Sequence, residues 1–183
     1  MCKRPMKEIT KLRNKTEKAR NAIKAIYDCQ ILQKLEQYNP TVVSTILVGL
    51  DTDDSDIDII CSYNQSSVFF KDTKLLISNC FNGICKKKDN YVIAQFQYAG
   101  FLFEIFGTDR EIESQMAFRH YQVMKRLSQI GRTNFQNAVR AIKKTGIKTE
   151  PAIASILQLK GDPYESILLL EQLKDTELAR LLH

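Results

Sequence analysis

The chain of 183 residues has no apolar stretch long enough to span a bilayer and no apolar signal segment; it opens on the short, basic Met1-Cys2-Lys3-Arg4-Pro5. A cytoplasmic chain with no membrane partner is therefore expected. His120 is the only internal histidine. The five cysteines are odd in number, and Cys80 and Cys85 have no second pair at metal-ligand spacing. They read as reduced thiols, with Cys61 in the core. A calcium loop starting at Asp54 is excluded, because Ile59 stands where it needs Gly and Gln65 where it needs Glu.

The length and a hydrophobic content of 44% fit one compact domain over residues 1–183. Its expected parts are an N-terminal helix within 1–40, a sheet core over 41–107 and a helical C-terminal half over 108–183. Residues 1–24 hold nine Lys/Arg against Glu8 and Glu17, a net of +7, which leaves −1 of the overall +6 for the remainder. Nucleic acid contact through this basic segment is one reading. A solvated helix is the favoured one: Ile9, Leu12, Ala19, Ile23 and Ile26 recur at helical spacing, and no aromatic residue precedes Tyr27.

Periodicity predicts a helix over roughly 7–38 ending at Asn39-Pro40, a strand at about 42–48 and another at 56–61. A helix over 66–80 and a hairpin over 90–106 follow. Further helices are expected near 111–130, 133–145, 150–159 and 163–182, with Gly131, Gly146 and Gly161 at three of the breaks.

The sharpest chemical signal is Ser55-Asp56-Ile57-Asp58-Ile59-Ile60. Aspartate is depleted in strands, and alternation puts Asp56 and Asp58 on one face with Ile57 and Ile59 on the other. Two carboxylates on one face repel unless a cation offsets them, and oxygen-only ligands favour Mg²⁺ or Mn²⁺. The competing reading is a solvated acidic turn at Asp51, Asp53 and Asp54, with Asp58 on a sheet edge. Glu104, the only charge in Phe101-Leu102-Phe103-Glu104-Ile105-Phe106, favours the metal. A lone carboxylate among Phe and Ile needs a partner, and beside the aspartate strand it would bring three acids to one or two ions.

An apolar strand ending in Gly49, then Ser55-Asp56-Ile57-Asp58 and an acid on a third strand, resembles the nucleotidyltransferase superfamily of DNA polymerase beta and the small antitoxin-type nucleotidyltransferases. Asn39-Pro40, Leu47-Val48-Gly49, Phe103-Glu104-Ile105-Phe106-Gly107, Arg119-His120, Gly146-Ile147-Lys148-Thr149-Glu150-Pro151-Ala152 and Gly161-Asp162-Pro163-Tyr164-Glu165 look like an uncharacterised bacterial domain-of-unknown-function family with that fold. The resemblance implies an α+β fold: a small mixed β-sheet with a long N-terminal helix and a helical C-terminal half. It also implies Mg²⁺-dependent transfer of a nucleotidyl group from an NTP to a hydroxyl acceptor, with Asp56, Asp58 and Glu104 as metal ligands and catalytic residues. Gly49 would allow close phosphate approach and Ser55 would sit beside the nucleotide. Leu50 follows Gly49 where the superfamily typically has Ser, and residues 50–55 form a short connection, expected to be a tight acidic turn. The alternative is thus a non-catalytic nucleotide- or partner-binding module with a reduced triphosphate loop.

Arg119 and His120 have two readings. Met116, His120, Val123, Met124, Leu127 and Ile130 share one helical face, which makes His120 a core imidazole with a hydrogen-bond partner. The functional reading takes both residues to the nucleotide, with the Arg119 fork on phosphate oxygens. Lys148 and Glu150 likewise divide between function and a helix start, with Thr149 as N-cap.

Overall fold

The structure, a computed structural model, describes residues 16–182. They form two compact units. Residues 16–47 with Asp56–Gln115 make the first, and Val48–Ser55 with residues 116–182 make the second.

The first unit is a five-stranded mixed sheet with helices. Helix α1 (Glu17–Cys29) starts at Thr16, whose side chain accepts from the Ala19 amide at 3.2 Å. The expected helix to residue 38 breaks instead at Gln30, where φ is 56°. The Lys34 ammonium holds the freed Cys29 carbonyl at 2.7 Å, and a short helix α2 (Ile31–Lys34) and a 3₁₀ turn (Glu36–Tyr38) follow. The portion of the expected helix before residue 16, and most of the basic segment, lie outside the described residues.

The strand expected at 42–48 is only β1 (Thr41–Val42), followed by a 3₁₀ turn (Thr45–Val48). Buried Ser44 is the reason. Its hydroxyl donates to the Asp56 carbonyl at 2.6 Å and accepts from the Ile46 amide at 3.3 Å, which rolls the chain out of extended geometry.

Strand β2 (Ile57–Ser62), helix α3 (Ser66–Phe81), β3 (Ile84–Lys87), β4 (Val92–Tyr98) and β5 (Phe101–Thr108) complete the unit. The order is β1-β2-β5-β4-β3, with β2 and β5 parallel and the other pairs antiparallel. β2 is therefore interior, which removes the sheet-edge reading of Asp58. β3 was not foreseen: its Ile-Cys-Lys-Lys lacks apolar alternation because it is an edge strand with lysines exposed. The hairpin turns on Ala99 (φ 49°) and Gly100 (φ 83°), the positive pair a two-residue hairpin turn requires.

One face of the sheet is the core of this unit. Ile57, Ile59, Cys61, Val92, Ala94, Phe96, Phe103 and Ile105 are buried with Ala22, Ile26, Phe69 and Ile77 from the helices. Cys61 is in the core as expected. Gly107 shares that face, and a β-carbon there would lie 2.1 Å from the Phe69 ring, so only glycine lets the helix reach the strand.

The second unit is helical. α4 (Met116–Lys143) is kinked at Arg132 (φ 48°, ψ −145°), near the expected break between two helices. α5 (Thr149–Ile156) has Lys148 rather than Thr149 in the cap position. α6 (Pro163–Leu169) is capped by Asp162, which accepts from the Tyr164 and Glu165 amides. The helix expected to run to 182 stops in a 3₁₀ turn (Leu170–Gln172), because Leu173 is extended, and resumes as α7 (Asp175–Leu181). Val48 and Leu50 pack with Val123, Leu127, Val139, Ile153, Ile167 and Leu178 in this unit's core. No helix among the described residues is long and apolar enough to cross a membrane.

Candidate functional site

In the parallel β2–β5 ladder Asp58 stands directly opposite Glu104, and in the antiparallel β4–β5 ladder Gln95 stands opposite Glu104. Paired residues share a face, so the row Asp58, Glu104, Gln95 rises on the side opposite the buried core. All three side chains are partly exposed. The Gln95 amide donates to Glu104 Oε2 at 2.7 Å, and the other Glu104 oxygen has no donor among the described residues. Asp56 precedes the first residue of β2, and its carbonyl is held by Ser44. Its carboxylate has no protein partner among the described residues.

This donor set is oxygen only, which fits a hard divalent cation in kind. The acids are not drawn together, however. Among the described residues no group of three or more His, Cys, Asp or Glu is placed to hold a metal ion.

The other candidate residues fall in the second unit. Gly49 takes φ 75°, and a β-carbon there would be 3.0 Å from the Gln136 side chain. Side chains of α4 fix the carbonyls of this stretch. Ser128 Oγ donates to Val48 O at 2.5 Å, Arg140 Nη1 to Gly49 O at 3.1 Å and Lys143 Nζ to Leu50 O at 2.7 Å. Gln136 in turn donates to Ser128 Oγ at 2.8 Å. Residues 50–55 form a tight turn rather than a helix, closed by the Ser55 amide on Thr52 O at 3.1 Å and the Thr52 amide on Ser55 Oγ at 2.9 Å.

Arg119 and His120 are engaged within the helices. Arg119 forks onto Glu171, with Nη2 to Oε2 at 2.6 Å and Nε to Oε1 at 3.1 Å. Buried His120 has Nε2 2.9 Å from the Tyr164 carbonyl and Nδ1 3.4 Å from Glu150 Oε1. A carbonyl only accepts, so Nε2 carries a proton and donates to Tyr164, and a second proton on Nδ1 completes an ion pair with Glu150. Burial alone would lower the His120 pKa, but the Glu150 carboxylate and the Tyr164 carbonyl outweigh it and raise it. Burial would likewise raise Glu150, and His120 lowers it instead. Lys148 is exposed at the helix cap.

Sequence reasoning passed over Gln95, Ser128, Gln136, Arg140 and Lys143. A signal existed for Gln95 alone. Once Ala99-Gly100 is taken as a two-residue turn, register sets Gln95 opposite Glu104. The α4 donors to these carbonyls lie 80 to 93 residues from them, beyond any local pattern.

A family model described as a domain of unknown function (DUF4269) matches residues 24–170. No curated protein matches the sequence. Among solved structures, the chain is similar to the Cid1 poly(U) polymerase with MgGTP bound, with TM-score 0.57 and 13% identity, covering 90% of this chain and 53% of that one. A second Cid1 structure, described for RNA terminal uridylyl transferase activity, gives TM-score 0.53 at 14% identity over 90% of this chain and 52% of that one. The polymerase core of the RNA surveillance complex TRAMP gives TM-score 0.50 at 10% identity, covering 97% and 60%. The chain thus spans about half the length of the Cid1 structures. At these identities the likeness establishes the fold, which is of the nucleotidyltransferase type.

Proposed function

The chain belongs to the DUF4269 family, and we propose that it is a metal-dependent nucleotidyltransferase that moves a nucleotidyl group from an NTP to a hydroxyl acceptor. The observation that carries this reading is the in-register pair Asp58 and Glu104 on one face of parallel strands. Two like charges directly opposite each other on neighbouring strands weaken the sheet, a cost that a bound divalent cation would offset.

In this reading Asp56, Asp58 and Glu104 would hold Mg²⁺ or Mn²⁺, which when bound neutralises charge on the phosphates. The acceptor hydroxyl oxygen attacks the α-phosphorus, the new O–P bond forms as the bond to pyrophosphate breaks, and Glu104 takes the hydroxyl proton. Gln95 orients Glu104 by its hydrogen bond. Gly49, Ser55, Arg119 and His120 belong to the second unit, where Arg119 pairs with Glu171 and His120 with Glu150 and Tyr164, and no step is assigned to them. The MgGTP bound by the Cid1 polymerase supports Mg²⁺ and an NTP as the ligands. A cytoplasmic location agrees with the reduced thiols expected from the sequence.

The tight 50–55 turn, and the absence among described residues of a gathered three-acid cluster, favour a second reading. It is a nucleotide- or partner-binding module without turnover. Pyrophosphate release from each of the four NTPs with Mg²⁺ or Mn²⁺ separates the two. Release abolished by Asp56→Ala supports the enzyme; NTP binding without release supports the module.

A further inference from the structure

The face that carries Asp58 and Glu104 continues along the strands into a differently composed surface. β5 steps from Glu104 to Phe106, β4 from Gln95 to Ile93, and β3 from Ile84 to Lys86. The register pairs Lys86 with Ile93 and Ile93 with Phe106. Tyr91 lies one same-face step beyond Ile93, and its ring stacks on Phe106 with centroids 5.0 Å apart and planes 29° from parallel. The Lys88 amide bonds the Tyr91 carbonyl at 2.8 Å, extending the ladder so that Lys88 sits opposite Tyr91. Lys86 and Lys88 are exposed, and neither has a carboxylate partner among the described residues. One face therefore carries a pair of carboxylates, a stacked aromatic pair one step further along the strands, and two cations on the edge strand level with the rings.

We propose that this surface docks single-stranded nucleic acid, with a base on the Tyr91–Phe106 ring pair and backbone phosphates on Lys86 and Lys88. Sequence-tolerant binding of single strands combines these two elements, rings for the bases and a cationic track for the backbone. The carboxylate row is one same-face step from Phe106, about 6.6 Å along the strand, a length a ribose spans between its base and its 3′-hydroxyl. The placement is informative. Cations beside the carboxylates would form ion pairs, whereas here β4, with Gln95 and Ile93, lies between Glu104 on β5 and Lys86 on β3 and leaves the lysines for phosphates. An edge strand carries lysine for a plainer reason, to deter pairing with other chains, but that reason does not ask for a ring stack on the same face. The assignment of this strand as the acceptor rests on the transferase reading above; the docking surface itself does not.

The test uses the full chain and a 5′-labelled single-stranded oligoadenylate, followed by fluorescence anisotropy across salt concentrations. The natural protein is expected to bind the oligonucleotide with an affinity that falls with salt. Lys86→Glu with Lys88→Glu should weaken it at least tenfold and flatten the salt dependence, while Lys144→Glu with Lys160→Glu, the same charge change on exposed lysines of the other unit, should not. Tyr91→Leu should weaken binding about tenfold with the salt dependence retained, and Phe106→Leu, which keeps an apolar side chain, guards against loss of fold. Equal losses in the control pair, equal binding of duplex, or binding untouched by all four variants and thus carried by the basic residues 1–24, would overturn the proposal. So would polyglutamate competing as well as the oligonucleotide. Oligonucleotide binding without pyrophosphate release would defeat the transferase and leave this surface standing. Pyrophosphate release onto a small hydroxyl acceptor, without oligonucleotide binding, would do the reverse.

Discussion

Asp58 on β2 and Glu104 on β5 are direct partners in a parallel ladder, so both carboxylates leave the sheet on the face opposite its hydrophobic core. Gln95 accompanies them as the third member of the row and bonds Glu104 at 2.7 Å. Glu104→Gln preserves shape but removes the charge, the cation contact and the proton acceptor. It is expected to leave the melting temperature within a few degrees of the natural protein and to cut pyrophosphate release by about 10² or more. An undiminished rate would remove Glu104 from the chemistry.

Gln95→Ala tests orientation separately from charge. It is expected to lower the transfer rate severalfold with Tm nearly unchanged, because Glu104 loses the hydrogen bond that orients it. A loss of stability with an unaltered transfer rate would make Gln95 purely structural.

The His120–Glu150 pair predicts a pH dependence in the second unit. His120 has its pKa raised above the ordinary 6.5, so its contribution to stability is complete below that value and is lost as pH rises through the folded-state value. Glu150, lowered from 4.5, contributes above its ordinary value, and that is lost as pH falls through its folded-state value. Chemical denaturation should therefore show stability falling from pH 6 to pH 9. His120→Gln should flatten that slope and cost roughly 1–3 kcal/mol at pH 6. A slope unchanged in His120→Gln would place the titration elsewhere.

Gly107→Val would drive a branched side chain into the Phe69 ring, where a β-carbon already meets an atom at 2.1 Å. Overpacking of about 1–3 kcal/mol or more is expected. Urea unfolding would show it, and Phe69→Ala in the same chain should recover part of the loss. No recovery would mean that the clash is relieved by another route.

The fold class was legible in the sequence because strand and helix periods alternate clearly along much of the chain. Ile57 and Ile59 against Asp58, and the aromatic runs flanking Ala99-Gly100, gave β2, β4 and β5. The breaks were less legible. Gln30 adopts φ 56° in the middle of a helical pattern, and Ser44 turns an apolar run into a 3₁₀ segment through a bond to Asp56, twelve residues away. Of the candidate site, the shared face of Asp58 and Glu104 follows from alternation once the two strands are known to be neighbours. The engagement of Arg119 by Glu171 and of His120 by Glu150 does not, since each partner lies 30 or more residues away and is set by how helices pack. The Gly49 stretch shows the same limit. Its glycine is visible in the sequence, but the three side chains that fix its carbonyls belong to α4.

The most direct test of the Asp58–Glu104 site is a melting-shift titration of the natural protein and Asp58→Asn with each NTP, in Mg²⁺, in Mn²⁺ and in EDTA. A ligand at about 100 times its Kd adds about 2.7 kcal/mol, which for a chain of this size raises Tm by roughly 5–10 °C. A rise of that order is expected with at least one NTP, only when the divalent ion is present, and absent from an Asp58→Asn protein whose unliganded Tm is close to natural. No shift with any NTP, or an equal shift in Asp58→Asn or in EDTA, would contradict the site.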